Sequence, residues 1–273
     1  MSAMPSTPDF SPLHQPVHQF CLERIRARAH RPLVIGVQAP QGAGKTTLVT
    51  HLLDSLPGHG LRGAGVSIDD FYLTRAEQIA VAEAHPGNPC MEHRGYPGTH
   101  DVDLGTRTLA ALRHLSTDAT TRVPVYDKSA HGGRGDRLPV DEWRLVQGPL
   151  DVVLVEGWML GFSPVDPDRL PSEDLVPANA ALARYGAWYE QIDIWIVLRA
   201  AEAEFVVDWR IEAEERMKAT GKPGLSREAI EDYVRRFLPA YRTWADGTAA
   251  GRTPDFTLTI GKDRKPTIAP SPS

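Results

Sequence analysis

The sequence predicts an α/β fold with a mainly parallel sheet and helices on both faces. Three observations support this prediction. Short apolar runs recur along the chain, helical patterns separate them, and a glycine-rich turn joins the first run to the first helix. Runs that are apolar on both sides suit strands buried in a parallel sheet. Strands that alternate with helices are typical of α/β architecture.

Five runs are predicted to be strands, the last of them the weakest. They lie at residues 33–37, 65–68, 150–155, 192–198 and 256–260. The helix after the first strand is predicted from leucines that recur on one face and end at a Pro-Gly pair. A later helix is predicted between Ser226, as its N-cap, and Pro239, as its stop.

We expect one domain over residues 17–265. A Pro- and Ser-rich stretch at 1–16 is predicted to be a flexible arm, and 266–273 a C-terminal tail. Residues 75–101 are rich in glycine and proline, which indicates a loop-rich insertion that is functional or, alternatively, only solvated. The charged region at about 199–225 is predicted to resemble a lid.

Composition excludes several classes of protein. The net charge of −5, from 30 basic and 35 acidic side chains, argues against a nonspecific nucleic-acid binder. No run approaches the roughly 18 apolar residues of a membrane helix, and no apolar segment indicates a secretory signal. Cys21 and Cys90 are too few for a disulfide framework, which favours a reducing cytoplasm.

The strongest local motif is Ala39-Pro-Gln-Gly-Ala-Gly-Lys-Thr-Thr47, which fits a P-loop with alanine at the first glycine position. Its glycines allow backbone N–H groups to point at phosphate oxygens, and the helix N-terminus adds partial positive charge. Lys45 is predicted to reach the β- and γ-phosphates, and the Thr46 hydroxyl to ligate Mg²⁺. The predicted nucleotide-binding residues are Pro40, Gln41, Gly42, Ala43, Gly44, Lys45, Thr46 and Thr47.

Carboxylates follow two of the predicted strands. Asp69 and Asp70 come directly after the second strand, where ligands bind in open α/β sheets. A carboxylate there can accept the proton of an acceptor hydroxyl, but spacing does not decide between the two, and both could instead cap the next helix. Glu156 ends the third strand, which is the position of a Walker B acid that holds Mg²⁺ through water or directs a water.

Two further segments are candidates for binding and catalysis. The loop at 123–137 concentrates Lys128, Arg134 and Arg137 among glycines, which suits a small anion, either the acceptor's carboxylate or the phosphate in transit. His100 and Asp101 precede a predicted helix, so that Asp101 is its N-cap, a substrate group or both. The charged stretch at 208–216 is either a solvated face with i,i+4 pairs or a lid whose arginines close over the phosphoryl group.

Taken together, these segments resemble D-glycerate 3-kinases of the plant type and their fungal and bacterial relatives. That family lies within the P-loop kinases that include uridine kinase, pantothenate kinase and phosphoribulokinase. The string Glu156-Gly-Trp-Met-Leu-Gly-Phe162 is the most specific match. The other matching stretches are 39–47, 67–72, 98–101, 123–129, 133–137, Trp143, 209–210 and 233–241.

The resemblance implies a P-loop NTPase fold, ATP as phosphoryl donor and a primary hydroxyl on a small acceptor. It favours Asp69 as the catalytic base. From the P-loop and the lid hypothesis, Lys45 and a lid arginine, Arg210, are predicted to neutralise charge. The substrate-side residues predicted with it are Asp70, Tyr72, His100, Asp101, Tyr126, Lys128, Arg134 and Arg137. Thr46 and Glu156 are the expected Mg²⁺ ligands.

The predicted function is therefore ATP-dependent phosphorylation of the 3-hydroxyl of D-glycerate. The expected partner is this small molecule, with neither nucleic acid nor membrane, and the oligomeric state is not predicted. The first alternative is a P-loop kinase for another small alcohol, such as a nucleoside, a sugar or a different hydroxy acid. The second is a nucleotide-dependent switch, although no Asn-Lys-x-Asp or Thr-Lys-x-Asp motif of a GTPase occurs.

Overall fold

The computed structural model describes residues 13–219, 226–245, 247–267 and 271–272. Its centre is a six-stranded sheet with the strand order β10-β9-β8-β1-β7-β2. Two small two-stranded sheets, β3-β6 and β4-β5, lie outside it. The strands are β1 (Leu33–Gln38), β2 (Gly63–Ser67), β3 (Thr120–Val123), β4 (Tyr126–Asp127), β5 (Asp136–Arg137), β6 (Arg144–Gln147), β7 (Val152–Gly157), β8 (Ile194–Ala200), β9 (Phe256–Ile260) and β10 (Ser271–Pro272).

Helices connect the strands. They are α1 (His14–Ala27), α2 (Lys45–Ser55), α3 (Arg75–Ala84), α4 (Val102–Arg113), α5 (Ala130–Gly133), α6 (Val176–Leu182), α7 (Gly186–Tyr189), α8 (Phe205–Ala219), α9 (Arg227–Arg235) and α10 (Leu238–Trp244). Short 3₁₀ turns supplement them, and the one that matters for the site is Ile68–Phe71.

The five predicted strands are confirmed as β1, β2, β7, β8 and β9, and all five run parallel. Every residue of β1 and of β7 is buried, as the predicted two-sided apolar runs require. From β1 the chain crosses to β2 on one side and later to β8 and β9 on the other. Because crossovers are right-handed, opposite directions put helices on opposite faces, which is the predicted α/β layering.

The ends of the domain differ from prediction. The N-terminal arm was expected to reach residue 16, but α1 begins at His14, and Leu13 and His14 are already buried; residues 1–12 lie outside the described part. At the other end, β10 pairs antiparallel with β9 through backbone hydrogen bonds. Part of the predicted tail therefore extends the sheet, because the edge of β9 offers unpaired backbone groups.

The predicted loop-rich insertion at 75–101 starts with a helix, α3. Its N-terminus carries a reciprocal capping box, in which the Thr74 hydroxyl accepts from the Glu77 N–H and the Glu77 carboxylate accepts from the Thr74 N–H. The loop is thus limited to residues 85–101.

The predicted helix from 226 to 239 is divided in two. α9 ends at Arg235, and Pro239 lies in the first turn of α10 instead of ending a helix. A missing N–H costs nothing there, because the first N–H groups of a helix have no intrahelical partner.

Candidate active site

The phosphate-binding loop lies between β1 and α2, as predicted. Gly42 and Gly44 have φ angles of 78° and 89°, in the left-handed region that glycine adopts without strain. A Cβ added at Gly42 would lie 2.7 Å from Cβ of Trp209. Glycine is therefore required at position 42 for two reasons, the turn itself and the close approach of α8.

Side chains from distant parts of the chain hold this loop in place. The Gln41 N–H donates to the Tyr241 hydroxyl at 2.9 Å, and Arg264 Nε donates to the Gly42 carbonyl at 3.0 Å. Arg264 also donates to the Trp209 carbonyl, lies over the Trp209 ring and pairs with Glu212 at 2.5 Å. Sequence reasoning missed Arg264, because it follows β9 and belongs to none of the motifs.

The two predicted metal ligands are in contact. Thr46 Oγ1 donates to Glu156 Oε1 at 3.2 Å. The second oxygen, Oε2, is buried and has no hydrogen-bond partner in the described part of the chain. Burial raises the pKa of Glu156, while the charge of Lys45 opposes this rise.

A carboxylate oxygen without a partner beside a threonine hydroxyl is a donor set that fits Mg²⁺. Within residues 13–219, 226–245 and 247–267, no group of three or more His, Cys, Asp or Glu side chains could hold a metal ion. Two protein oxygens are enough for Mg²⁺, because this ion keeps water and substrate phosphates as most of its ligands.

Asp69 lies at the same edge of the sheet as the loop. Ser67, two residues before it, is level with Glu156 on β7, and Glu156 is level with Val37 on β1. Oδ2 of Asp69 is 2.5 Å from Lys128 Nζ. Burial opposes ionisation of Asp69, but the charge and hydrogen bond of Lys128, helped by the charge of Lys45, hold its pKa below the usual value. The carboxylate is therefore ionised.

Asp70 points the other way. Its Oδ2 accepts from the Ser67 N–H at 3.4 Å, and Ser67 Oγ accepts from the Asp69 N–H, so that Asp70 and Ser67 form a capping box on the turn Ile68–Phe71. Burial raises the pKa of Asp70 to about 6. The capping alternative therefore holds for Asp70, whereas the Asp69 side chain is directed to Lys128.

His100 is buried beside Asp69 and stacks on Tyr72, with ring centroids 4.4 Å apart. The Gly98 N–H donates to the Tyr185 hydroxyl at 3.0 Å, and this hydroxyl is 2.8 Å from His100 Nδ1. The other ring nitrogen of His100, Nε2, is buried and has no hydrogen-bond partner in the described part of the chain. Burial lowers the pKa of His100 to about 4, so the ring is neutral at pH 7.

Arg137 and Asp101 connect the segments that carry the predicted substrate-side residues, which we call the acceptor side. Asp101 caps α4 by accepting from the Leu104 N–H at 2.9 Å, and its other oxygen is 3.2 Å from Arg137 Nη1. Arg137 Nη2 donates to the Tyr72 carbonyl at 2.9 Å. The cap predicted for Asp101 is present, and the Arg137 guanidinium is already engaged with protein groups.

The remaining acceptor-side residues fall into two groups. Tyr126 is buried, and its ring is 5.3 Å from that of Tyr72. Arg134, by contrast, is exposed and lies against His93, with Nη1 2.6 Å from Nδ1. Among the described residues, no hydrogen bond or ion pair joins Arg134 to Asp69 or Lys128. The structure therefore brings Tyr126 to the candidate site and leaves Arg134 outside.

Arg210 lies on α8, next to the phosphate-binding loop. Its backbone N is 3.3 Å from the position of a Cβ at Gly42, while its guanidinium is 4.0 Å from Glu214. Arg216 forms the corresponding i,i+4 pair with Glu212 at 3.6 Å. The i,i+4 ion pairs expected for a solvated helix face are therefore present on α8. The same helix lies against the phosphate-binding loop, as the lid alternative requires.

Comparison with known proteins gives consistent results. No family profile matches the chain. The chain is 43% identical over 249 residues to "D-glycerate 3-kinase, chloroplastic" of Arabidopsis thaliana, which covers 87% of this chain but 54% of that protein. The chain therefore spans about half the length of the plant relative. It is 36% identical over 232 residues to an uncharacterized kinase of Schizosaccharomyces pombe, covering 81% of this chain and 83% of that one.

A solved structure agrees over the whole fold. The D-glycerate 3-kinase from Cryptococcus neoformans superposes with a TM-score of 0.87 at 32% identity, covering 97% of this chain and all of that one. In the described part of this chain, no helix is long and apolar enough to span a membrane.

Proposed function

The chain belongs to the D-glycerate 3-kinase family, and on this premise we propose that it phosphorylates the 3-hydroxyl of D-glycerate with ATP, giving 3-phosphoglycerate and ADP. One observation supports the proposal above all others. The ionised Asp69 lies at the sheet edge that carries the phosphate-binding loop, near enough for the charge of Lys45 to lower its pKa. An acceptor between them would have its hydroxyl beside a base and its target phosphate beside a cation.

Phosphoryl transfer then follows from positions and charges. Asp69 accepts the proton of the 3-hydroxyl, and the oxygen attacks the γ-phosphorus in line with the leaving oxygen. The bond from the γ-phosphorus to the β,γ-bridging oxygen breaks, and ADP leaves with the electron pair. The loop N–H groups and Lys45 neutralise the charge on the phosphates.

Thr46 and Glu156 are the residues that would hold Mg²⁺, for the reasons of geometry given above. When bound, the ion neutralises charge on the β- and γ-phosphates. Arg210 is proposed to add a further positive charge to the transferring group from α8, after exchanging Glu214 for phosphate oxygens.

On the acceptor side, some residues are proposed to contact the acceptor and others to act through the backbone around it. Lys128 and His100 lie beside Asp69 and are proposed to contact the acceptor. Tyr72 and Tyr126 form the aromatic wall of this region. The other residues proposed for this side, Asp101, Arg137 and Asp70, act by holding the backbone around it. For Arg134 a substrate role would require the loop at 128–135 to move.

The decisive experiment measures ADP release from ATP, Mg²⁺ and D-glycerate, with L-glycerate and uridine as controls, and identifies the phosphorylated carbon by ³¹P–¹H NMR. We expect D-glycerate to be the best acceptor and 3-phosphoglycerate the product. If uridine, a sugar or another hydroxy acid were turned over faster, the proposed substrate would be wrong but the proposed phosphoryl transfer would stand. ATP hydrolysis that no alcohol stimulates would instead favour a nucleotide-dependent switch.

The cytoplasmic location stays a prediction. The name of the plant relative places that protein in the chloroplast.

A further inference from the structure

The sequence predicts that the cations of the loop at 123–137 bind a small anion such as the acceptor's carboxylate, but only one of the three, Lys128, lies beside the proposed base. Arg134 lies against His93, and Arg137 is engaged with Tyr72 and Asp101. Lys128 alone of the three touches Asp69. The acceptor-side cation and the proposed base are therefore bound to each other.

Several features of this ion pair would allow Lys128 to leave Asp69 for another anion. The Lys128 side chain is 59% exposed and that of Asp69 24% exposed, so the pair is partly hydrated, and such pairs contribute little net free energy. Lys128 is followed by a turn in which Gly132, Gly133 and Gly135 all have positive φ. The charge of Glu156 also acts on Lys128, so the ammonium lies near both carboxylates that the reaction needs.

We propose that Lys128 is a latch that covers Asp69 until the carboxylate of a hydroxy acid draws its ammonium away. This inference rests on the proposed function, since it assumes that Asp69 is the base. Lys128 keeps its proton throughout and only changes partner, from Asp69 to the acceptor's carboxylate. Asp69 Oδ2 is then free to accept the proton of the acceptor hydroxyl.

The latch has two consequences for selectivity. A neutral alcohol such as glycerol carries the same primary hydroxyl as glycerate but cannot displace Lys128, so it should be turned over slowly even when bound. Water faces the same covered base, so ATP should be hydrolysed slowly when no acceptor is present. The single ion pair would thus select for hydroxy acids and protect ATP.

The first test uses the wild-type chain and D-lactate, which has the carboxylate and 2-hydroxyl of D-glycerate but no 3-hydroxyl. ATP hydrolysis to phosphate is measured with D-lactate, with glycerol and with neither. We expect D-lactate to stimulate hydrolysis severalfold, because it frees Asp69 and leaves space for water at the missing hydroxyl. Glycerol should not stimulate it. Equal rates in all three conditions would overturn the latch.

The second test replaces the cation. In Lys128→Met, kcat/KM for D-glycerate should fall about 10- to 100-fold, as expected for loss of a charged hydrogen bond, while acceptor-independent ATP hydrolysis should rise. Stimulation by D-lactate should disappear. Lys128→Arg, which keeps the charge, should restore part of the D-glycerate activity and the low hydrolysis. Lys265→Met, at an exposed lysine that pairs with Asp263, is the matched control.

The expected fall in D-glycerate turnover and rise in ATP hydrolysis distinguish the latch from simpler roles of Lys128. A residue that only binds the carboxylate or only supports the fold would lower D-glycerate turnover without raising hydrolysis, and that result would overturn the inference. If the wild-type chain fails to phosphorylate D-glycerate, the proposed substrate is wrong, but the hydrolysis rates of wild type and Lys128→Met still test the latch. Should Lys128→Met not fold, the D-lactate experiment decides alone.

Discussion

The two halves of the proposed active site are built in different ways. The phosphate side is a run of nine consecutive residues, 39–47, that binds mainly through backbone N–H groups. The acceptor side is assembled from side chains on separate segments, with Asp69 paired to a lysine 59 residues away and His100 to a tyrosine 85 residues away. One half depends on local backbone geometry and the other on long-range packing.

This difference shows how one scaffold can keep its phosphoryl donor and change its acceptor. The backbone cradle tolerates substitution only where glycine is not required. The acceptor side can be altered one side chain at a time, because each contributes a separate contact. Substitutions should accordingly affect ATP binding and acceptor turnover separately. Three predictions test this separation, and a fourth tests the burial of His100 on the acceptor side.

The largest effect is expected from Lys45→Ala on the phosphate side. Turnover should fall by roughly a thousandfold or more, because the charge that neutralises the β- and γ-phosphates is lost. A coupled ADP assay measures the fall in turnover, and an ATP titration measures the change in ATP affinity. Lys262→Ala, which removes an exposed lysine paired with Asp208, should stay within about twofold of wild type. Substantial turnover by Lys45→Ala would contradict the assignment.

Next comes the pair of neighbouring carboxylates. Asp69→Asn should lower kcat by about 10²- to 10⁴-fold while ATP binds normally, because only general-base catalysis is removed. Asp70→Asn should cost far less, since an amide oxygen can still accept from the Ser67 N–H. Steady-state kinetics and ATP affinity are compared for both variants. A near-normal kcat for Asp69→Asn would remove it as the base.

A smaller effect is expected from Arg264→Gln, which removes a side chain that holds the phosphate-binding loop in place. The variant loses the guanidinium hydrogen bond to Gly42 and the contacts to Trp209 and Glu212. KM for ATP should rise several-fold, with kcat and KM for the acceptor changing less. Lys265→Gln, one residue further on and exposed, is the control. An equal rise in KM for the acceptor would show that the two halves are not independent.

The smallest effect concerns stability at acidic pH. The pKa of His100 is lowered to about 4, so between pH 6.5 and 4 the unfolded chain binds a proton that the folded chain does not. The free energy of unfolding should therefore fall as pH falls through this window, by about 2 kcal/mol between pH 7 and pH 5 from this residue.

Urea unfolding of wild type and His100→Phe at both pH values isolates this contribution. The difference in stability between the two proteins should shrink at pH 5. Asp70 acts in the opposite sense, because its pKa is raised to about 6 and the folded chain binds the extra proton. The Asp70→Asn variant should therefore be more acid-sensitive than wild type. A pH-independent difference for His100→Phe would contradict its neutral, buried state.

Much of the fold was predictable because its signals are local. The five parallel strands were visible as apolar runs, and α2 and the phosphate-binding loop as a motif. Errors fell where local signals compete with packing. Pro239 has the sequence pattern of a helix stop but lies in the first turn of α10, and the glycines and prolines at 86–98 obscure the capped helix α3 that precedes them.

By itself, the sequence determined the five parallel strands, the phosphate-binding loop with the helix after it, and the placement of Asp69 and Glu156 at strand ends, because periodicity and turn chemistry act between near neighbours. Only the tertiary structure decided that Asp70 turns back on its own helix, that Lys128 covers Asp69, that Arg134 lies elsewhere, and that Arg264 holds a glycine 222 residues away. Such contacts depend on how whole elements pack, and no short stretch of sequence encodes that packing.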